Sequence, residues 1–242
     1  MSGRVPRVRM FAGPNGSGKS RLNNYVHKKW LGVYVNADEI EKQLHENGVL
    51  LKDFQVELDD STFLVGFKET CSSRNQELPG ISCKHGLVKV NGKEINSYYA
   101  AMIAELIRFY LLQKRISFTF ETVMSHGSKV AFLKLAKEKD FRTYLYFIAT
   151  EDPQINVSRV AKRVESGGHD VPKDKIINRY HRAIKLLPTA LKVVDRGYVF
   201  DNSGDDVEWI AESANLRNEE STRLEIKAEE FPCWIKKVVK VE

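Results

Sequence analysis

Short apolar runs alternate with longer amphipathic stretches along most of the chain. Residues 8–12, 32–36, 117–121, 142–149 and 197–201 have strand length and are mostly apolar, which predicts buried strands, with 197–201 as the last of them. Helical spacing is predicted over 21–29, where Leu22, Tyr25 and Val26 share a face, and over 37–46, about 54–70, 97–114, about 129–139, 153–165 and 174–194. In the fourth of these, Ala101, Ile103, Ala104, Ile107, Tyr110 and Leu111 form one apolar face. Strands separated by helices predict an α/β fold: a mostly parallel sheet, flanked by helices and joined by right-handed crossovers. No internal repeat is visible.

One stretch breaks the rhythm. From Cys71 to Asn96 the chain is polar and contains Pro79-Gly80, then alternating residues around Asn91-Gly92, a hairpin-turn signal. It is expected to be a β-hairpin insertion on the surface of a single domain covering 1–242. A C-terminal appendage is expected over 221–242, with Trp234 docking it onto the body.

Composition narrows the class. An apolar fraction of 42% with 29% charged residues fits a globular protein in water. No apolar run approaches the roughly 18 residues of a membrane span. No signal-peptide stretch follows the first charged residues, so a cytoplasmic, membrane-free protein is expected. Cys71, Cys83 and Cys233 are too few and scattered for a disulfide framework and are read as free thiols. The net charge of +6 is concentrated: from Arg159 to Arg196 ten Lys/Arg face four acids, a surplus equal to that of the whole chain. Such a segment attracts polyanions.

In parallel sheets ligands sit beyond the carboxyl ends of strands, which makes the strand ends informative. The first strand runs into Gly13-Pro14-Asn15-Gly16-Ser17-Gly18-Lys19-Ser20, the pattern of a P-loop. Its glycines let backbone amides turn toward phosphates, and a following helix would add its dipole. Lys19 is expected to reach the β- and γ-phosphates of ATP, and Ser20 to ligate Mg²⁺. The second strand ends at Asn36-Ala37-Asp38-Glu39. There Asp38 could accept a proton from an acceptor hydroxyl or hold Mg²⁺; the plainer alternative is a helix cap. The third ends at Phe120-Glu121-Thr122, where Glu121 could bind an acceptor hydroxyl or simply a loop amide.

The fourth feature is Arg159 through Gly167-Gly168-His169. Arg159 and Arg163 share a helix face, and the glycines allow a lid, expected over 159–182, to close on phosphates. Arg179 and Arg182 on the next helix could join. A solvated salt bridge is the alternative for each arginine, and a plain loop residue for His169.

Together these residues resemble the zeta-toxin family of P-loop kinases. The likeness runs from about Val8 to Asn202. It rests on the P-loop, on residues 36–40 (Asn-Ala-Asp-Glu-Ile), on 118–122 (Phe-Thr-Phe-Glu-Thr), on the Arg159 to His169 segment, and on Asp201-Asn202-Ser203. The combination is far more specific than the P-loop alone. The resemblance implies ATP- and Mg²⁺-dependent phosphorylation of a small hydroxylated substrate, in known members a UDP-amino sugar. It implies that Gly13 to Ser20 bind ATP, with Asp38 as general base and Glu121, beside Thr122 and His169, as substrate contact. Arg163, with Arg159 or Arg179, would stabilise the transferred phosphate. The 71–96 insertion and the tail depart from the family pattern and could shape a different acceptor pocket. An antitoxin-like partner is not evident in the sequence.

The expectation is therefore a kinase acting on a small-molecule hydroxyl. A nucleotide-dependent switch and a nucleic-acid end kinase are the alternatives. No strand ends in paired acids of the ATPase kind, which argues against the switch. The basic residues cluster on the expected lid, which argues against nucleic acid.

Overall fold

The computed structural model describes residues 5–168, 170–215, 223–228 and 232–236. The chain forms two compact units, residues 1–31 with 121–242, and residues 32–120. In chain order, the first contributes β1 (Arg7–Ala12), a 3-10 turn (Lys19–Tyr25) and α1 (Lys28–Leu31). The second contains β2 (Val33–Val35), α2 (Ala37–Glu46), β3 (Val49–Leu50), α3 (Asp60–Ser73), β4 (Ile81–Lys84), β5 (Leu87–Val90), α4 (Ser97–Gln113) and most of β6 (Phe118–Thr122). The first unit then resumes with α5 (Ser128–Glu138), β7 (Arg142–Ala149), α6 (Pro153–Glu165), α7 (Lys173–Val193), β8 (Arg196–Asp201), β9 (Glu208–Ala214), β10 (Arg223–Ile226) and α8 (Cys233–Lys236). The fold is α/β, with a mostly parallel seven-stranded sheet flanked by helices.

In the first unit β1, β7 and β8 are parallel, with Met10 opposite Leu145 and Leu145 opposite Gly197. Val8, Met10 and Phe11 on β1, Leu145 and Phe147 on β7, and Val199 on β8 are fully buried. Each large apolar side chain of this kind contributes about 1.5–3 kcal/mol on burial. The expected last strand is not the last. β9 pairs antiparallel with β8, and β10 with β9. Their signal is blurred because a register shift beside Val199/Phe200 leaves Ile210 and Ala211 both buried, breaking the alternation that marks a strand.

The expected helix over 21–29 is also corrected. The chain makes the 3-10 turn, and Val26 is extended. Asn23 donates its side-chain amide to the Ser20 carbonyl, a local bond that competes with helix continuation. The helix dipole anticipated behind the phosphate loop is correspondingly small.

In the second unit β2 lies parallel to β6. A separate three-stranded antiparallel sheet has the order β3-β5-β4. Phe63 and Phe67 of α3 stack at 6.3 Å, and the core around them includes Met102, Ile103 and Leu111 of α4. The hairpin within 71–96 turns at His85-Gly86, not at Asn91-Gly92. Both turn residues have positive φ (51° and 74°), and the Asp60 carboxylate accepts from both of their amides at 2.9 Å. Asn91 lies past β5, where its amide donates to the Gly80 carbonyl. Its side-chain amide oxygen accepts from the Lys93 N–H.

Candidate active site

The phosphate loop leaves the carboxyl end of β1 and is braced from several directions. Its first amide, Gly13, donates to the carbonyl of Thr122 at the end of β6. The Asn156 side chain, fully buried on α6, donates to the Asn15 carbonyl at 2.6 Å and accepts from the Thr150 hydroxyl. The Asn202 amide donates to the Ser17 carbonyl at 2.8 Å. These braces explain two of the glycines. Gly16 (φ 76°) faces the Asn156 backbone and Gly18 (φ 89°) faces the Asn202 amide, so closely that a Cβ at either position would collide. The structure thus accounts for the spacing of these two glycines through packing.

Three arginines converge on the same shell. Arg21 donates to the Asn202 side-chain oxygen at 2.9 Å. Arg159 donates to the carbonyls of Asn202 (2.6 Å) and Gly204 (3.2 Å). Arg179 donates to the Asn15 side-chain oxygen at 3.2 Å. Lys19 turns its ammonium onto the carbonyls of Gly13 (3.0 Å) and Pro14 (3.1 Å). Sequence reasoning singled out Lys19 and Arg179, which bond to loop residues, and Arg159, which bonds to Asn202 behind the loop. It missed Arg21 and Asn156, and it read Asn202 only as closing the core; the signals were a strand-end Asn after β8 and an Asn on the first turns of α6.

The remaining candidates are placed as follows. Ser20 is exposed at the start of the 3-10 turn, and Glu121 and Thr122 are half-buried at the end of β6. Arg163 is exposed near the end of α6, where its carbonyl accepts from the amides of Ser166 and Gly168. Arg182 is exposed on α7, bonded to the Asn178 carbonyl. His169 lies outside the described residues. In the second unit, Asp38 is exposed on the first turn of α2. The cap of that helix is Asn36, whose side chain accepts from the Asp38 amide at 2.9 Å. Among the described residues the Asp38 carboxylate has no hydrogen-bond or ion-pair partner, so capping does not explain it.

The donor set suits a nucleotide. The Ser17 hydroxyl is buried with no hydrogen-bond partner in the described structure. Lys19 is held by neutral carbonyls, which compete weakly with a phosphate for an ammonium. Among the described residues no three His, Cys, Asp or Glu side chains group as metal ligands. A divalent ion here would therefore need phosphate oxygens beside Ser20, the habit of Mg²⁺ at nucleotide sites. No helix among the described residues is long and apolar enough to cross a membrane.

No family profile matches the chain. A protein of Haemophilus influenzae, described as uncharacterized, is 24% identical over 170 residues, 70% of this chain and 89% of that one. The crystal structure of AvrRxo1-ORF1:AvrRxo1-ORF2 with sulphate ions superposes with a TM-score of 0.58 at 12% identity, covering 98% of this chain and 64% of that one. The same pair solved with ATP gives 0.53 at 13%, covering 88% and 59%. The PezAT chromosomal toxin–antitoxin system of Streptococcus pneumoniae gives 0.53 at 16%, covering 88% and 73%.

The fold is zeta-toxin-like. The chain spans less than two thirds of the AvrRxo1 chains it matches, and identities at this level speak to fold alone.

Proposed function

We propose that this protein is an ATP-dependent phosphotransferase that acts on a hydroxyl group of a small molecule. The observation that carries the reading is the braced loop Gly13 to Ser20, with Lys19 and Arg179 bonded to it and Arg159 bonded to Asn202, one of its braces. An AvrRxo1 structure solved with ATP on the same fold supports it.

Mg²⁺-ATP, when bound, supplies the phosphoryl group. Lys19 would exchange its two carbonyls for phosphate oxygens, and Ser20, with Asp38 or water, would hold the ion. Asp38 would accept the proton of the attacking hydroxyl. Glu121 and Thr122, with His169, would orient the acceptor. Arg163 would offset the charge that spreads over the transferred oxygens, together with Arg159 or Arg179 once these leave their present carbonyls.

A nucleotide-sugar, such as a UDP-amino sugar, is the acceptor class favoured by the zeta-toxin resemblance. The PezAT likeness, being to a toxin–antitoxin system, makes an antitoxin-like protein partner part of the same proposal. The nucleic-acid alternative is weakened because two arginines of the basic segment are engaged within the protein, Arg179 on Asn15 of the loop and Arg159 on the Asn202 carbonyl.

The test is incubation of the protein with labelled ATP, Mg²⁺, cell extract and a panel of nucleotide-sugars, read by mass. A small molecule heavier by one phosphate is expected, and none with Lys19→Ala. ATP breakdown at the same rate without any acceptor would replace the kinase reading with the switch.

A further inference from the structure

We propose that the first unit carries a second anion site, for a small phosphorylated molecule, at the amino ends of its parallel strands. A cavity of 430 Å³ lies there, lined by Arg7, Arg142 and Arg196 with Val5, Asp195 and Asn215. Its volume falls within the range of small-molecule pockets, about 300–1,000 Å³, and exceeds the need of a bare phosphate.

The three arginines begin β1, β7 and β8, and register puts them on one face. Arg7 is directly opposite Arg142, and Arg196 is opposite Tyr144, two residues along β7 on the same face as Arg142. Neighbouring strands are about 4.8 Å apart, so three guanidinium forks rise from adjacent rows. Planar forks of this kind match phosphate oxygens in pairs.

The charge around the cavity is not balanced. Asp195 is taken up by the amide (2.7 Å) and hydroxyl (3.0 Å) of Thr143 and by Lys137 at 3.6 Å. Glu212 pairs with Arg196. One row further along the same face, Arg9 is 4% exposed, and one of its guanidinium nitrogens has no hydrogen-bond partner. The ring of Tyr144 lies 5.1 Å from the Arg9 guanidinium and 6.0 Å from that of Arg142. Of the described residues that line the cavity, three are cationic and one, Asp195, is anionic. The wall is firm, because the Asn215 side-chain amide ties the carbonyls of Leu191 and Val194, each at 2.6 Å.

This site is separate from the phosphate loop. β1 runs for six residues from Arg7 to the loop, a span of roughly 20 Å, which no compact ligand bridges. The concave shape favours a small molecule over a nucleic-acid backbone, which would track along an open surface.

The test is calorimetric titration of the full chain with pyrophosphate in a Lys19→Ala background, so that the phosphate loop contributes little. One remaining binding event is expected, weakened at least tenfold by adding Arg142→Gln and likewise by Arg196→Gln. Should Arg142→Gln fail to fold, Arg142→Lys keeps the charge, loses the fork and should still weaken binding. Absence of binding in Lys19→Ala, or binding indifferent to the Arg142 and Arg196 changes, overturns the proposal. So does single-stranded RNA that binds through Arg142 and is not displaced by pyrophosphate.

Discussion

Asn202 shows how much one side chain can hold. Its amide donates to the Ser17 carbonyl, its side-chain oxygen accepts from Arg21, and its backbone carbonyl accepts from Arg159. The loop and two cations are thereby placed without any contact to substrate. Asp38 and Arg163 are of the other kind, both exposed and proposed to act directly. Asp38→Ala is expected to lower turnover by about 10²- to 10⁴-fold, the usual worth of a positioned base, while nucleotide affinity stays near that of the wild type. Turnover within a few-fold of wild type would remove Asp38 from the role of base. Arg163→Ala is expected to depress turnover on the order of hundredfold or more, with a much smaller change in ATP affinity. Steady-state kinetics beside an equilibrium nucleotide-binding assay separates the two effects.

At the level of elements, legibility followed the clarity of the periodic signal. Residues 37–46, 142–149 and 153–165 were read with the boundaries found, because caps and apolar runs agree there. The stretch after the phosphate loop misled, since Leu22, Tyr25 and Val26 have helical spacing while Asn23 bonds back to the chain. The Asn91-Gly92 pair misled for a different reason. The turn that forms is selected by a carboxylate on another helix, which no local pattern reveals. Asp60 accepts from Gly86, from the Cys83 thiol and from His85, and these bonds, in that order, hold its pKa below the ordinary 3.8. A depressed carboxylate stabilises the fold above its unfolded pKa, and that contribution is lost as pH falls through the folded value. Asp60→Asn is therefore expected to lower the melting temperature clearly at pH 7 and much less at pH 3. An equal deficit at both pH values would mean that the carboxylate's charge is irrelevant to the turn. Burial of Cys83 itself, with Asp60 beside it, pushes its thiol up to about 12, which keeps it protonated and inert.

For the whole molecule, the sequence made the α/β class and the glycine-rich loop after β1 legible, because both rest on local patterns. The division into residues 1–31 with 121–242 and residues 32–120 was not, because it depends on contacts distant in sequence. Nor were the braces from Asn156 and Asn202, which reach the loop across separations of 141 and 185 residues. A ligand that binds only the folded state raises stability by mass action. Mg²⁺-ATP at a hundredfold excess over its Kd should contribute about 2.7 kcal/mol, which for a chain of this size raises Tm by roughly 5–10 °C. Lys19→Ala should abolish the rise, as scanned by fluorimetry or calorimetry. A shift that persists undiminished in that variant would place nucleotide elsewhere.

Trp234, 4% exposed on α8, donates its indole N–H to Asp201 at 2.7 Å and rests its ring against Phe147. Asp201 immediately precedes Asn202. During synthesis, therefore, a nascent chain that already displays residues 13–20 has only the Ser203 amide and hydroxyl on this carboxylate and still lacks the indole. The ribosome must add more than thirty further residues beyond Asp201 before the strand end is fully secured. Truncated products that stop short of Trp234 would lack that bond and leave the strand end less firmly anchored.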